Sequence, residues 1–221
     1  MLVKRRPEAK KAALVVAALE AAYPEATTTA LDHRNPFELL VATMLSAQCT
    51  DKRVNIVTPA LFERFPDAAA LAKATVPQVE RYIKTCGLFH TKARNLVATA
   101  KALVEEHGGE VPKTREGLEA LPGVGRKTAS VVLAVAHETP ALAVDTHVHR
   151  VANRLGLART KKREDTEKAL TDAIPPEKWS TIHHQLIQHG RDVCKAIRPR
   201  CEACPLTKLC DYYREVVSRA R

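Results

Sequence analysis

Lys127 and Asp145 each stand at the predicted start of a helix. The lysine lies in Leu121-Pro122-Gly123-Val124-Gly125-Arg126-Lys127-Thr128-Ala129, the aspartate in Val144-Asp145-Thr146-His147. An amine and a carboxylate suit complementary tasks at one electrophilic carbon. A helix N-terminus disfavours positive charge, which favours a neutral, nucleophilic amine. The same kind of helix end keeps a carboxylate ionised, ready to stabilise a developing cation. A second cluster of reactive residues is Cys194, Cys201, Cys204 and Cys210, spaced C-x6-C-x2-C-x5-C. Four thiols so close in an intracellular chain suit a metal site better than disulfides. Tetrathiolate sites hold Zn²⁺ or an iron–sulfur cluster, and the x6 and x5 gaps are longer than those of paired CxxC zinc knuckles. Cys49 and Cys86 stand alone in helical patterns and read as buried free thiols.

The elements that must position these groups are helical. Thr114 suits an N-cap for a short helix that Pro122-Gly123 ends. An apolar run from Ala129 to Ala136 then fits a buried helix. Closely spaced glycines let the backbone approach a partner without a Cβ in the way. Amides at a helix start bind phosphate, and Arg126 and Lys127 add positive charge there. A plain interhelical turn with two solvated cations is the simpler reading of P-G-x-G alone.

Elsewhere, Pro7 opens an alanine-rich helix ending near Tyr23-Pro24, and Pro36 opens a second. Asp51 reads as the cap of a third that stops before Pro66. Asp67 and Thr75 read as further caps. A longer helix from about Thr91 ends at Gly108-Gly109, and later helices start near Thr146, Arg163 and Pro176. No sustained period-2 run argues for strands, so the fold class is all-α.

The chain of 221 residues carries 35 Lys+Arg against 25 Asp+Glu, a net charge of +10. That excess suggests a polyanionic partner, most often nucleic acid. No apolar stretch approaches the ~20 residues that span a bilayer. The opening Met1-Leu2-Val3-Lys4-Arg5-Arg6-Pro7 lacks the apolar core of a secretory signal, so an intracellular, cytoplasmic or nucleoid-associated protein is expected, with no membrane partner. Four Phe, four Tyr and one Trp are few for stacking single strands on aromatic platforms.

The full string Leu-Pro-Gly-Val-Gly-Arg-Lys-Thr-Ala resembles the helix-hairpin-helix motif of the endonuclease III family of bifunctional DNA glycosylases. The cysteine pattern is similar to that family's C-terminal [4Fe–4S] loop at all four positions, and the resemblance runs from about Pro36 to Cys210. It implies a two-domain helical fold with a DNA cleft between the domains. Residues 29–139 would form a six-helix domain with the hairpin, and residues 1–28 plus 140–221 the iron–sulfur domain. It also implies base-excision repair of oxidised pyrimidines in double-stranded DNA, with lyase activity at abasic sites, by a monomer. Lys127 would form the Schiff base with the sugar, and Asp145 would stabilise positive charge at C1′. Leu121 to Arg126 would hold the DNA backbone.

Gln48, in Leu45-Ser46-Ala47-Gln48-Cys49-Thr50-Asp51, and Leu88, in Cys86-Gly87-Leu88-Phe89, match positions that fill the gap left by an extruded base. Their simpler readings are a polar residue near a helix end and a core leucine. Asp145 would cap the following helix in either case, and the cluster would also staple the C-terminal segment.

Two alternatives stand beside this one. A monofunctional glycosylase of the adenine-mismatch type carries a glutamate where Thr43 stands, lacks the hairpin lysine and has a further C-terminal domain, whereas this chain ends soon after Cys210. A non-catalytic helix-hairpin-helix binding module would have no use for both Lys127 and Asp145. Phe89-His90-Thr91 and His149 depart from the family's usual residues, which bears on wedge geometry and lesion range.

Overall fold

The computed structural model describes residues 7–217, and among them there is no strand. Met1–Arg6, most of the stretch read above for a secretory signal, lies outside the described residues. The chain divides into two compact units, Ala30–Thr139 and the discontinuous Met1–Thr29 with Pro140–Arg221. No helix among the described residues is long and apolar enough to cross a membrane.

The continuous unit contains seven helices, α2 to α8. They are α2 (Pro36–Leu45), α3 (Asp51–Arg64), α4 (Ala68–Ala72), α5 (Val76–Ile83), α6 (Phe89–His107), α7 (Arg115–Ala120) and α8 (Arg126–Ala136). Local chemistry sets most of their starts. Asn35 accepts from the Glu38 N–H, Asp67 from Ala70 and Thr114 from Gly117, each cap satisfying an amide the first turn leaves without a partner. Thr75 and Gln78 form a capping box at α5. Asp51 is not the cap of α3. Thr50 takes that role, its hydroxyl accepting from Arg53 N–H, and Asp51 sits in the first turn. The core helices are α2, whose residues Phe37 to Leu45 are all buried, and α6, which packs on α4 and α5. Helix α8 packs on α2 and α7, so the hairpin α7–α8 rests on the most apolar helix of the unit.

The discontinuous unit is built from α1 (Pro7–Ala22), α9 (Thr146–Leu155), α10 (Arg163–Ala173) and α11 (Trp179–Asp192), followed by single 3₁₀ turns at Cys201–Ala203 and Thr207–Leu209. Pro176 opens a 3₁₀ turn, with the α-helix starting at Trp179. One apolar core joins Val15 and Leu19 of α1, Val148 and Val151 of α9, Leu170 of α10, Leu186 of α11 and Leu206 of the C-terminal segment. Cys194, Cys204 and Cys210 pack against this core. The N-terminal helix and the cysteine loop are therefore parts of one unit, although they lie at opposite ends of the chain.

Candidate functional site

The continuous unit carries two features. The first is the hairpin. Gly123 has φ +77°, the left-handed region that glycine enters without a Cβ clash. A Cβ there would also collide with the side chain of Asn95 on α6. Thr99, one turn further along α6, donates its hydroxyl to the Pro122 carbonyl at 2.6 Å, and Val124 N–H closes the turn onto the Leu121 carbonyl at 3.0 Å. Leu121 and Val124 are buried, so only their main chain is available to a partner. Asn95 and Thr99 went unread in the sequence. They share one face of a long helix far from the hairpin in sequence, and no local signal marks them.

Gly125 is the N-cap of α8, without a side-chain cap, and a Cβ added there would meet nothing within 4 Å. First-turn amides of a helix lack intrahelical acceptors, and here the approach to them is open. Arg126 and Lys127, the first two residues of α8, are exposed. No described residue hydrogen-bonds or ion-pairs with the Lys127 ammonium.

The second feature joins the α2–α3 turn to the entry of α6. Gln48 (φ 54°) and Leu88 (φ 58°) both hold left-handed backbone without being glycine, a conformation that costs about 1–2 kcal/mol per residue. Both side chains are exposed, Leu88 at 60%, so Leu88 is not the core leucine of the simpler reading. The two loops touch, because Gly87 packs against the Gln48 carbonyl. The α6 start at Phe89, rather than about Thr91, follows from this geometry, since Leu88 itself is the N-cap. Behind the turn, buried Lys92 donates to the Leu45 carbonyl at the end of α2, 2.8 Å away. Burial holds this ammonium below the usual lysine range. Cys49 and Cys86 do not stand alone inside helices. They lie in these two turns, near enough for Cys49 to push the Cys86 thiol up.

In the discontinuous unit, Asp145 is the N-cap of α9. Its Oδ1 accepts from both His147 N–H and Val148 N–H at 2.8 Å. No described residue hydrogen-bonds Oδ2. His147 contacts Arg150 through Nδ1 at 3.2 Å, and burial holds its imidazole below the usual histidine range. His149 bonds Thr166 through Nδ1 at 2.7 Å, which gives this departure from the family pattern a structural task.

Cys194, Cys201, Cys204 and Cys210 line one cavity, together with Arg154, His189 and Tyr212. Arg154 clamps the loop. Its guanidinium donates to the Lys195 and Ala196 carbonyls at 2.7 and 3.0 Å and to the Cys194 thiol at 3.4 Å, and it lies over the Tyr212 ring. Leu206 N–H donates to Cys204 Sγ at 3.4 Å. Tyr23, directly after α1, bonds His189 Nδ1 at 2.9 Å, and the other imidazole nitrogen faces Cys204 Sγ at 3.7 Å. Burial pushes the Cys201, Cys204 and Cys210 thiols up, a penalty that a bound cation reverses. Among the described residues, no three His, Cys, Asp or Glu side chains converge closely enough to hold a single ion. Arg154, Tyr23 and His189 are further supports that the cysteine spacing did not reveal.

An all-α fold with a glycine-capped hairpin and an exposed lysine defines a helix-hairpin-helix protein. The family model described as HhH-GPD superfamily base excision DNA repair protein matches residues 41–176, and the chain belongs to that family. It is 50% identical to an endonuclease III of Bacillus subtilis, over 81% of this chain and 83% of the relative. Against endonuclease III of Escherichia coli strain K12 it is 48% identical, over 86% and 90%. A solved structure of a trapped endonuclease III–DNA covalent intermediate is similar across the whole of both chains, with a TM-score of 0.89 at 42% identity.

Proposed function

We propose that this chain is a base-excision-repair DNA glycosylase with AP lyase activity, acting on oxidised pyrimidines and abasic sites in double-stranded DNA through Lys127. The observation that carries the reading is the exposed, unpaired Lys127 amine in the first turn of a glycine-capped helix. A relative of the same family trapped as a covalent intermediate with DNA supports it.

Gly125 and the α8 amides hold a phosphate beside the damaged nucleotide. Leu88 and Gln48, displayed from two touching turns, fill the space the extruded base leaves, offsetting an unstacking cost of a few kcal/mol. The neutral Lys127 amine attacks C1′ of the sugar and the C1′–N bond to the base breaks, the base leaving with a proton. An imine forms as the sugar ring opens. Loss of the C2′ proton then expels the 3′ phosphate by β-elimination. Asp145 stabilises the positive charge at C1′ through Oδ2, while Oδ1 stays engaged in the helix cap.

The four-cysteine cavity suits a [4Fe–4S] cluster. All four cysteines line one cavity, and the x6 and x5 gaps suit a polynuclear core better than a paired CxxC zinc knuckle. Cys194, Cys201, Cys204 and Cys210 would be its ligands. When bound it supplies a staple between the C-terminal segment and the α1/α9/α11 core. Neither amine attack nor elimination requires electron transfer. The protein acts as a monomer inside the cell.

The test is incubation with duplex DNA carrying thymine glycol. Base release with strand scission is expected from the wild type and neither from Lys127→Ala. Base release without scission by the wild type would mark a monofunctional glycosylase, and DNA binding without either would mark a binding module.

A further inference from the structure

Cys49 and Cys86 have no part in the proposed chemistry, yet they occupy the two turns that display Gln48 and Leu88. Cys49 directly follows Gln48, and Cys86 precedes Gly87-Leu88. The turns are in contact through Gly87 and the Gln48 carbonyl. Cys86 is 1% exposed, whereas Cys49 is only half-buried. One thiol is therefore open to a small oxidant and the other waits behind it. Lys92 and Arg53 bring positive charge toward Cys86. Burial, and then the neighbouring Cys49, push the Cys86 thiol up to about 11. That suits a resolving thiol better than a first target.

We propose that Cys49 and Cys86 form a reversible disulfide when the protein meets a hydroperoxide, with Cys49 oxidised first and Cys86 resolving. The Cys49 thiolate attacks a peroxide oxygen and the O–O bond breaks. The leaving hydroxide takes a proton, and Cys49 becomes a sulfenic acid. The Cys86 sulfur then attacks the Cys49 sulfur, the S–O bond breaks, and the departing hydroxide takes the Cys86 proton as water. Two thiols are oxidised and one hydroperoxide is reduced to two oxygen products. A dithiol reductant reverses the bond by exchange. The covalent link ties the Gln48 turn to the Leu88 turn. Resting on the glycosylase reading, the link blocks the independent movement these residues need to enter a duplex.

The test treats the intact, cluster-loaded protein with one equivalent of hydrogen peroxide, then maps its peptides without reduction. The expected product is a Cys49–Cys86 linked peptide pair, two hydrogens lighter than its parts, lost on dithiothreitol treatment and absent from Cys49→Ser. Unlinked thiols, or Cys49 carried to sulfinic acid without the link, would overturn the proposal. In parallel, excision on damaged duplex should fall roughly 10–100-fold in oxidised wild type and recover with dithiothreitol. Cys86→Ala should hold its rate while the cluster's visible absorbance stays constant. Equal loss in Cys86→Ala would overturn the functional half of the proposal. A wild type with no excision before oxidation would instead fail the glycosylase reading and leave the peptide result to stand on its own.

Discussion

A Cβ built on Gly87 would stand 3.3 Å from the carbonyl oxygen of Gln48. That close approach brings together two exposed residues in left-handed backbone, Gln48 and Leu88, from turns far apart in sequence. Gly87→Ala should therefore push the turns apart while barely disturbing the core. Leu88→Ala should lower excision from duplex by roughly tenfold and leave cleavage at a pre-formed abasic site in single-stranded DNA near the wild-type rate. Parallel kinetics on the two substrates check this, and equal losses on both would contradict a wedge role.

Gly123 and Gly125 should separate fold from binding. Gly123→Ala forces a Cβ into a left-handed residue packed against Asn95, so it should cost about 1–3 kcal/mol of stability, read by urea unfolding. Gly125→Ala faces open space. It should cost less than about 1 kcal/mol of stability, since alanine is the poorer N-cap, and weaken duplex binding, because its methyl group stands where a phosphate would sit. A filter-binding titration over a range of salt concentrations reads the second effect.

The helical class and most helix boundaries were legible because local chemistry sets them. Asn35, Asp67 and Thr114 accept from the amides their positions predict, and Gly108 ends α6 in left-handed backbone. The misses have the same root. Thr50 and Asp51 are adjacent and both able to cap, and only the backbone decides between them. A leucine acting as an N-cap in left-handed backbone has no sequence signal, so the sequence places the start of α6 at about Thr91, two residues late. Tertiary supports such as Asn95, Thr99 and Arg154 were invisible, because what makes them matter is the distant segment each one grips.

Removing the Arg154 guanidinium strips donors from the Lys195 and Ala196 carbonyls and the Cys194 thiol. Arg154→Ala should speed loss of visible absorbance in a chelator challenge. Wild-type protein should release iron and inorganic sulfide in equal amounts, and stoichiometric zinc with no sulfide would contradict the cluster.

Lys92 is held below the usual lysine range by burial. The unfolded chain then binds the proton more tightly, so this lysine's contribution to stability rises with pH as the medium approaches the ordinary value of 10.5. Lys92→Met leaves the Leu45 carbonyl without its donor and should cost about 1–3 kcal/mol at pH 7. The gap to wild type should widen on moving toward pH 10, as measured by denaturant unfolding at each pH.

The central claim is an imine between Lys127 and deoxyribose. Sodium borohydride added during turnover on a thymine glycol duplex should fix a covalent protein–DNA adduct, and peptide mass mapping should place the link on Lys127. Lys127→Ala should give no adduct while still binding the duplex. An adduct on another residue, or strand scission that persists without Lys127, would contradict the account.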